Sequence, residues 1–265
     1  MMPSTQSNRL VVHTLRKRKE IQNLSKAFTE QIPSTLGILV ETSNIGNRTK
    51  LNFFQNSILD IVCFSLSRIV RIYPKINSRY QNEKSYLEID CMDIGVAFDN
   101  GSNLKVLGIP DAAKLSLDGI QDRILEMLDL YESNETIHPK DFANTITVTD
   151  LTEMDIAFVV PTLSSEQSMI LSINKHSKSD YLITCTYDHR IMEGYYVSEF
   201  LSALKAKILE VLKMESNLQE EISCTACQRT LSEEIELNST YRGLIVLKNT
   251  NHSEVLLCRV CFEGW

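Results

Sequence analysis

Two groups of residues in this 265-residue chain have types and spacings that can do chemistry. One is His189, which stands just after the run DYLITCTYD (Asp180 to Asp188) and just before a helical run that begins near Glu193-Gly194. A strand-to-helix junction fixes the backbone of such a histidine on a rigid element and leaves its ring at the edge of the sheet. With an ordinary pKa near ~6.5, the imidazole can take a proton from a thiol or hydroxyl at neutral pH. Glu193 can steady the loop by pairing with a cation, and Arg190 is the local candidate. The same residues also suit a capping or core histidine, so the local pattern admits both readings.

The other group is Cys224-x-x-Cys227 followed, after thirty intervening residues, by Cys258-x-x-Cys261. Tetrahedral zinc takes four thiolates, two from each Cys-x-x-Cys turn, and a site filled by four cysteines has no open position for catalysis. The segments IELNSTYRGLIVLKN and SEVLLCRVCF read as the strands of a zinc ribbon. The metal would replace a core too small to hold about 40 residues together. A redox dithiol pair is the other reading of the same spacing. Cys63, Cys91 and Cys185 stand singly in apolar segments and read as small buried hydrophobes.

These residues must be positioned by a larger body. Leu15, Ile21, Leu24 and Phe28 recur at helical intervals between Thr14 and Thr29, and Pro33 follows as a stop. LGILVET (Leu36 to Thr42) reads as a buried strand. LNFFQNSILDIVCFSLSRIVRIYP (Leu51 to Pro74) keeps a helical period for more than five turns and ends at Pro74. Strands are expected within YLEIDCMDIGVAFD (Tyr86 to Asp99) and at LKVLGI (Leu104 to Ile109). A helix is expected through Ile120, Ile124 and Leu128. Four short strands follow at TITVTDL, IAFVVP, SMILSIN and DYLITCTYD, then a helix with Val197, Leu201, Leu204, Ile208 and Val211 on one side. Mixed strands and helices of this kind indicate an α/β layer structure. The boundaries read as a flexible N-terminus over 1–9, a main domain over 10–213, a charged linker over 214–223 and a cysteine-paired module over 224–265.

Composition narrows the function. Hydrophobic residues make up 43% and charged residues 23%, ordinary globular proportions that leave ample material for a core. A net charge of -7 disfavours nucleic acid as a partner, since phosphate contacts call for a basic face. The sequence has no signal-peptide core and no apolar run of membrane-spanning length, which points to a cytoplasmic protein without membrane contact. The basic cluster RKRKE (Arg16 to Glu20) reads as a solvated helix face, and His13, His138, His176 and His252 have no motif around them.

The ordered motifs go further. DHRIMEG (Asp188 to Gly194) followed by YYVSEFLSALK (Tyr195 to Lys205) is similar to a DHRxxDG stretch and its following xxxxFLxxLK helix. ITVTDLT (Ile146 to Thr152), VVPTLSSEQSMILSI, DIGVAFD (Asp93 to Asp99), IPDAAKLSLDGI (Ile109 to Ile120) and IYPKIN (Ile72 to Asn77) match further motifs of one family in the same order. The sequence from about residue 10 to 213 resembles the catalytic domain of the dihydrolipoamide acyltransferases of 2-oxoacid dehydrogenase complexes. That fold is shared with chloramphenicol acetyltransferase, a two-layer arrangement of a mixed sheet with helices, here with the small C-terminal zinc ribbon appended.

The resemblance implies acyl transfer from a thioester. His189 would be the general base toward the acceptor thiol or hydroxyl, and the Thr149 hydroxyl would donate to the oxyanion of the tetrahedral intermediate. Asp188 and Gly194 would shape the histidine loop. Glu193, where the family carries aspartate, would pair with Arg18 of the first helix. Thr152 stands where the family's hairpin has glycine. The family also implies a homotrimer with active sites between neighbouring copies. The sequence shows no lipoylation motif, so no lipoyl group is expected on this chain. Coenzyme A or a carrier-protein pantetheine would bring the acyl group, with acetyl the expected one, to a small-molecule or carrier-protein acceptor in a biosynthetic pathway. The alternative is a non-catalytic trimeric scaffold that binds a partner through its zinc ribbon.

Overall fold

The computed structural model describes residues 10–42, 57–99, 101, 104–133, 144–177, 179–221, 245–248 and 254–257. Its centre is a six-stranded mixed sheet in the order β1-β8-β7-β6-β4-β5. The strands are β1 (Pro33–Glu41), β4 (Ile94–Phe98), β5 (Lys105–Ile109), β6 (Ile146–Asp150), β7 (Met169–Lys175) and β8 (Asp180–Asp188). β4, β6 and β7 run parallel, whereas β1–β8, β7–β8 and β4–β5 pair antiparallel. A separate hairpin joins β2 (Ser78–Asn82) to β3 (Ser85–Glu88).

Strand alternation sends one set of side chains to each face of this sheet. Ile146 and Val148, Met169, Leu171 and Ile173, and Ile183, Cys185 and Tyr187 enter the hydrophobic core. Helices α2 (Leu59–Ile69), α3 (Leu117–Glu132) and α4 (Gly194–Glu221) close that layer. The alternate residues Thr147, Ser172, Asn174, Thr184 and Thr186 are buried on the opposite, polar face. Their hydroxyls pair across strands, Ser172 with Thr184 at 2.5 Å and Thr35 with Thr186 at 2.9 Å, which offsets the loss of water.

Five expectations change. The helix expected from Leu51 begins at Leu59 among the described residues, after Ser57, whose hydroxyl accepts the Leu59 N–H at 3.0 Å. It ends at Ile69, and Pro74 opens a short 3-10 turn instead of closing the helix, because proline fits a first helical turn. The strand expected at IAFVVP is irregular chain. Phe158 and Val160 are exposed there, and the Val159 carbonyl is taken by the Thr184 hydroxyl at 2.8 Å rather than by a strand ladder. Cys91 is exposed, since it falls in the turn between β3 and β4. The charged segment expected as a linker continues α4 to Glu221, with no proline or glycine to stop it.

The N-terminal helix α1 (Leu15–Glu30) starts at an N-cap Thr14, whose hydroxyl accepts the Lys17 N–H at 3.2 Å. Its expected apolar face is largely uncovered within one copy: Leu15 is 74% and Phe28 76% exposed, whereas Ala27 is buried. Among the described residues no helix is long and apolar enough to cross a membrane.

Candidate active site around His189

β8 delivers His189 to the edge of the sheet. Asp188, the last residue of β8, lies opposite Pro33 of β1, and the chain beyond them is held by backbone bonds. The His189 N–H donates to the Ile32 carbonyl at 2.8 Å, and the Asp188 N–H donates to the Ser168 carbonyl at 2.9 Å. The Asp188 carbonyl then accepts the N–H groups of Ile191 and Met192, and α4 starts immediately after this turn. A Cβ on Gly194 would stand 3.3 Å from the Tyr187 hydroxyl, so glycine lets the first turn of α4 rest on that side chain.

Asp188 is the buried anchor of the loop, at 1% exposure. Its carboxylate accepts Nε of Arg190 at 3.0 and 3.1 Å and Nη2 at 2.6 Å, with the Arg190 and Ile32 backbone N–H groups at 3.1 and 3.4 Å. The fork-on-carboxylate geometry satisfies a charge that would be costly to bury alone. These hydrogen bonds to Asp188 push the Arg190 pKa above its ordinary value. Arg190 therefore pairs with Asp188 and not with Glu193.

The His189 side chain is partly exposed, with its ring centroid 5.7 Å from that of Tyr187. Its Nδ1 lies 3.5 Å from Glu193 Oε2. A carboxylate facing Nδ1 favours the tautomer protonated there and leaves the Nε2 lone pair free to accept a proton. Burial pushes the Tyr187 phenol above its usual pKa, and the nearby charge of Glu193 adds to the effect. Tyr187 is thus a neutral wall for the ring.

Two expected partners stand elsewhere. Within one copy Glu193 faces His189 and not Arg18, whose Nε donates to the His13 carbonyl at 3.1 Å. Arg18 precedes Ile32, the residue that holds His189, by most of α1; at ~1.5 Å rise per helical residue that places it roughly 20 Å away. Thr149 lies on the polar face of β6, level with Ser172 of β7 and, through it, Thr184 of β8. Strands spaced about 4.8 Å apart and rising about 3.3 Å per residue put Thr149 roughly 20 Å from His189 within one copy. A single chain therefore holds the two expected chemical groups apart.

Thr152 does not use the left-handed backbone region, where the non-glycine residues among those described are Asp111 and Glu166. The turn accepts threonine in place of glycine, with the Thr152 N–H on Asp150 Oδ1 at 2.9 Å. Sequence reasoning missed Asp150 itself, which points to the core side beside Thr149 and takes a hydrogen bond from the Ser57 hydroxyl. Burial pushes its pKa up, and these hydrogen bonds oppose the shift. An acidic residue ending a strand next to turn residues carries no sequence signal that tells burial from exposure.

Cys224, Cys227, Cys258 and Cys261 lie outside the described residues. Between the two pairs, β9 (Ile245–Lys248) and β10 (Glu254–Leu257) form an antiparallel pair, with Glu254 opposite Lys248 and Leu257 opposite Ile245. Among the described residues no group of three or more His, Cys, Asp or Glu is placed to hold a metal.

Comparison with known proteins fits this geometry. The family model described as 2-oxoacid dehydrogenases acyltransferase (catalytic domain) matches residues 5–215. The dihydrolipoyllysine-residue acetyltransferase component of the pyruvate dehydrogenase complex of Mycobacterium bovis is 25% identical over 182 residues, 62% of this chain and 32% of that protein. The dihydrolipoyllysine-residue succinyltransferase component of the 2-oxoglutarate dehydrogenase complex of Bacillus subtilis is 26% identical over 180 residues, 61% of this chain and 43% of that one. The chain thus spans less than half the length of either relative. Among solved structures, a probable dihydrolipoamide acetyltransferase from Listeria monocytogenes superimposes with a TM-score of 0.69 at 18% identity, over 78% of this chain and 97% of that one. The dihydrolipoamide acetyltransferase of Azotobacter vinelandii, studied for the roles of a serine, a histidine and an asparagine in its catalytic mechanism, gives 0.68 at 14% identity, over 77% and 93%. By its sequence, the chain belongs to the family of 2-oxoacid dehydrogenase acyltransferase catalytic domains.

Proposed function

We propose that this chain transfers an acyl group between a thioester and a thiol or hydroxyl acceptor, at a site formed where His189 of one copy meets Thr149 of a neighbouring copy. The observation that carries the reading is the held imidazole: its backbone is fixed on Ile32, Nδ1 faces Glu193, and the ring is open to solvent on one side. In the Azotobacter protein the histidine and the asparagine named in the mechanism are four residues apart, the spacing of His189 and Glu193 here. The separation of Thr149 from His189 within a copy supports a site between copies. So do the uncovered apolar side chains of Leu10, Val11, Val12, Leu15, Phe28, Phe158 and Val160, which suit the homotrimer expected for the family.

The chemistry follows from these groups. Nε2 of His189 removes the proton of the acceptor S–H or O–H as the sulfur or oxygen attacks the thioester carbonyl carbon. The carbonyl oxygen becomes an oxyanion, to which the Thr149 hydroxyl donates. Glu193 balances the positive charge on the imidazolium. Collapse of the intermediate breaks the carbon–sulfur bond, and the proton on Nε2 returns to the departing thiolate. Donors of the right kind are acetyl or succinyl thioesters of coenzyme A or pantetheine, and the relatives' names make a dihydrolipoyl thiol the first acceptor to try. A biosynthetic hydroxyl or carrier-protein acceptor is the finer version of the same reading.

The paired cysteines fit structural zinc. The two Cys-x-x-Cys pairs flank the β9–β10 strands in sequence, and a metal held by their four thiolates would cross-link them without taking part in acyl transfer.

The test is thiol release from acetyl- and succinyl-coenzyme A with dihydrolipoamide, small hydroxyl compounds and carrier-protein acceptors. Release that requires His189 and disappears in a folded His189→Ala variant supports the enzyme. No release from the wild type with any acceptor turns the reading toward the scaffold.

A further inference from the structure

Tyr80 lies on β2, outside the sheet that carries His189, yet its ring faces the histidine loop. The guanidinium carbon of Arg190 sits over that ring, 3.8 Å from the centroid. The same guanidinium holds both oxygens of the buried Asp188, the residue just before His189. The hairpin has a second tie to this place: the Ser78 N–H donates to the Ser168 hydroxyl at 3.4 Å, and the Ser168 carbonyl accepts the Asp188 N–H. On its open side Arg190 borders a cleft of about 640 Å³ with Glu30 and Lys26 on its walls. Without a ring against it, the guanidinium has space to swing out and a second carboxylate to meet.

We propose that Tyr80 is a positioning residue for His189, its ring pinning the Arg190 guanidinium on Asp188 and so fixing the turn that aims the imidazole. The kinetic consequence rests on the acyl-transfer reading, whereas the placement of the ring does not. Cation–π contact needs the aromatic face and not the phenol oxygen, which takes no part in this chain of contacts. Tyr80→Phe therefore keeps the clamp and Tyr80→Leu removes it at similar bulk.

Two readouts are taken on the full chain: thioester turnover, and the NMR signals of isotope-labelled histidine rings, with His189 assigned by their loss in His189→Gln. Tyr80→Leu is expected to lower kcat roughly tenfold while KM stays within about twofold, as for lost orientation rather than lost binding. It is also expected to shift or broaden the His189 signals, and Tyr80→Phe restores both. Arg190→Lys, which keeps the charge but loses the fork, gives the same spectral change, and adding Tyr80→Leu to it has no further effect. A Tyr80→Leu protein with wild-type kcat and an unchanged His189 signal overturns the proposal, as does a Tyr80→Phe protein as impaired as Tyr80→Leu. Should the wild type turn over no thioester, the acyl-transfer reading fails by itself, and the His189 signal alone decides the clamp: moved in Tyr80→Leu it stands, unmoved it falls.

Discussion

His189 takes its orientation from a carboxylate one helical turn ahead, at 3.5 Å from Nδ1. The Glu193 side chain reaches the ring itself. Glu193→Ala should lower kcat about tenfold with little change in KM, since it removes both the tautomer preference and the balancing charge. Glu193→Gln should lose less, because an amide oxygen can still accept from Nδ1; steady-state kinetics on the three proteins checks the order. Asp150 makes a separate prediction about pH. Its folded pKa is raised by burial, so the folded state binds the proton more tightly than the unfolded state does. The contribution is fully present below the unfolded value of about 3.9 and is lost as pH rises through the raised folded value. Asp150→Asn, which keeps hydrogen-bonding atoms but no charge, should therefore raise the Tm at pH 7 relative to wild type. The gain should shrink toward pH 4, as read by thermal melts across that range.

At the scale of elements, β4 has little room. A Cβ on Gly95 would lie 2.7 Å from Val106 Cγ1 and 2.8 Å from Asn144 Cβ, so Gly95→Ala should cost about 1–3 kcal/mol by overpacking, measured by denaturant titration. The strands and helices that build the core were largely legible, because their apolar residues keep period two in β6 and β8 and a helical period in α3 and α4. What periodicity could not show was which apolar residues stay uncovered. Phe158 and Val160 read as a strand because they alternate, yet no ladder partner reaches them and Thr184 takes the Val159 carbonyl. The histidine loop was legible from Asp188, His189 and Gly194, whose identities match a family motif. Its pairings were not: Asp188 with Arg190 and Glu193 with His189 depend on side-chain directions at a turn, which a one-dimensional pattern does not encode. Within one copy Arg18 turns to the His13 carbonyl instead of Glu193, since resemblance supplies a residue type at a position and not the direction its side chain takes.

On the scale of the whole molecule, the apolar patch of α1 and the chain before it makes the assembly testable. Light scattering should report three copies, as the proposed homotrimer requires; a monomer, a 24-mer or a 60-mer would contradict that. Phe28→Glu should leave a folded chain that is monomeric and inactive, as one charge in such an interface costs several kcal/mol unless paired. Metal analysis should find one zinc per chain. Its removal by chelation should unfold the module over 224–265 while thioester turnover survives, which separates the structural metal from the reaction.

The central claim is that His189 and Thr149 act across copies, and subunit mixing tests it most directly. His189→Ala and Thr149→Ala proteins, each close to inactive alone, are unfolded together, refolded as mixed oligomers and assayed for thioester turnover. Random mixing in a closed ring places an intact histidine beside an intact threonine at about a quarter of the sites, so activity should return to about that fraction of wild type. Mixed oligomers that stay as inactive as the parent variants, with wild-type protein regaining full activity through the same refolding, would contradict the account.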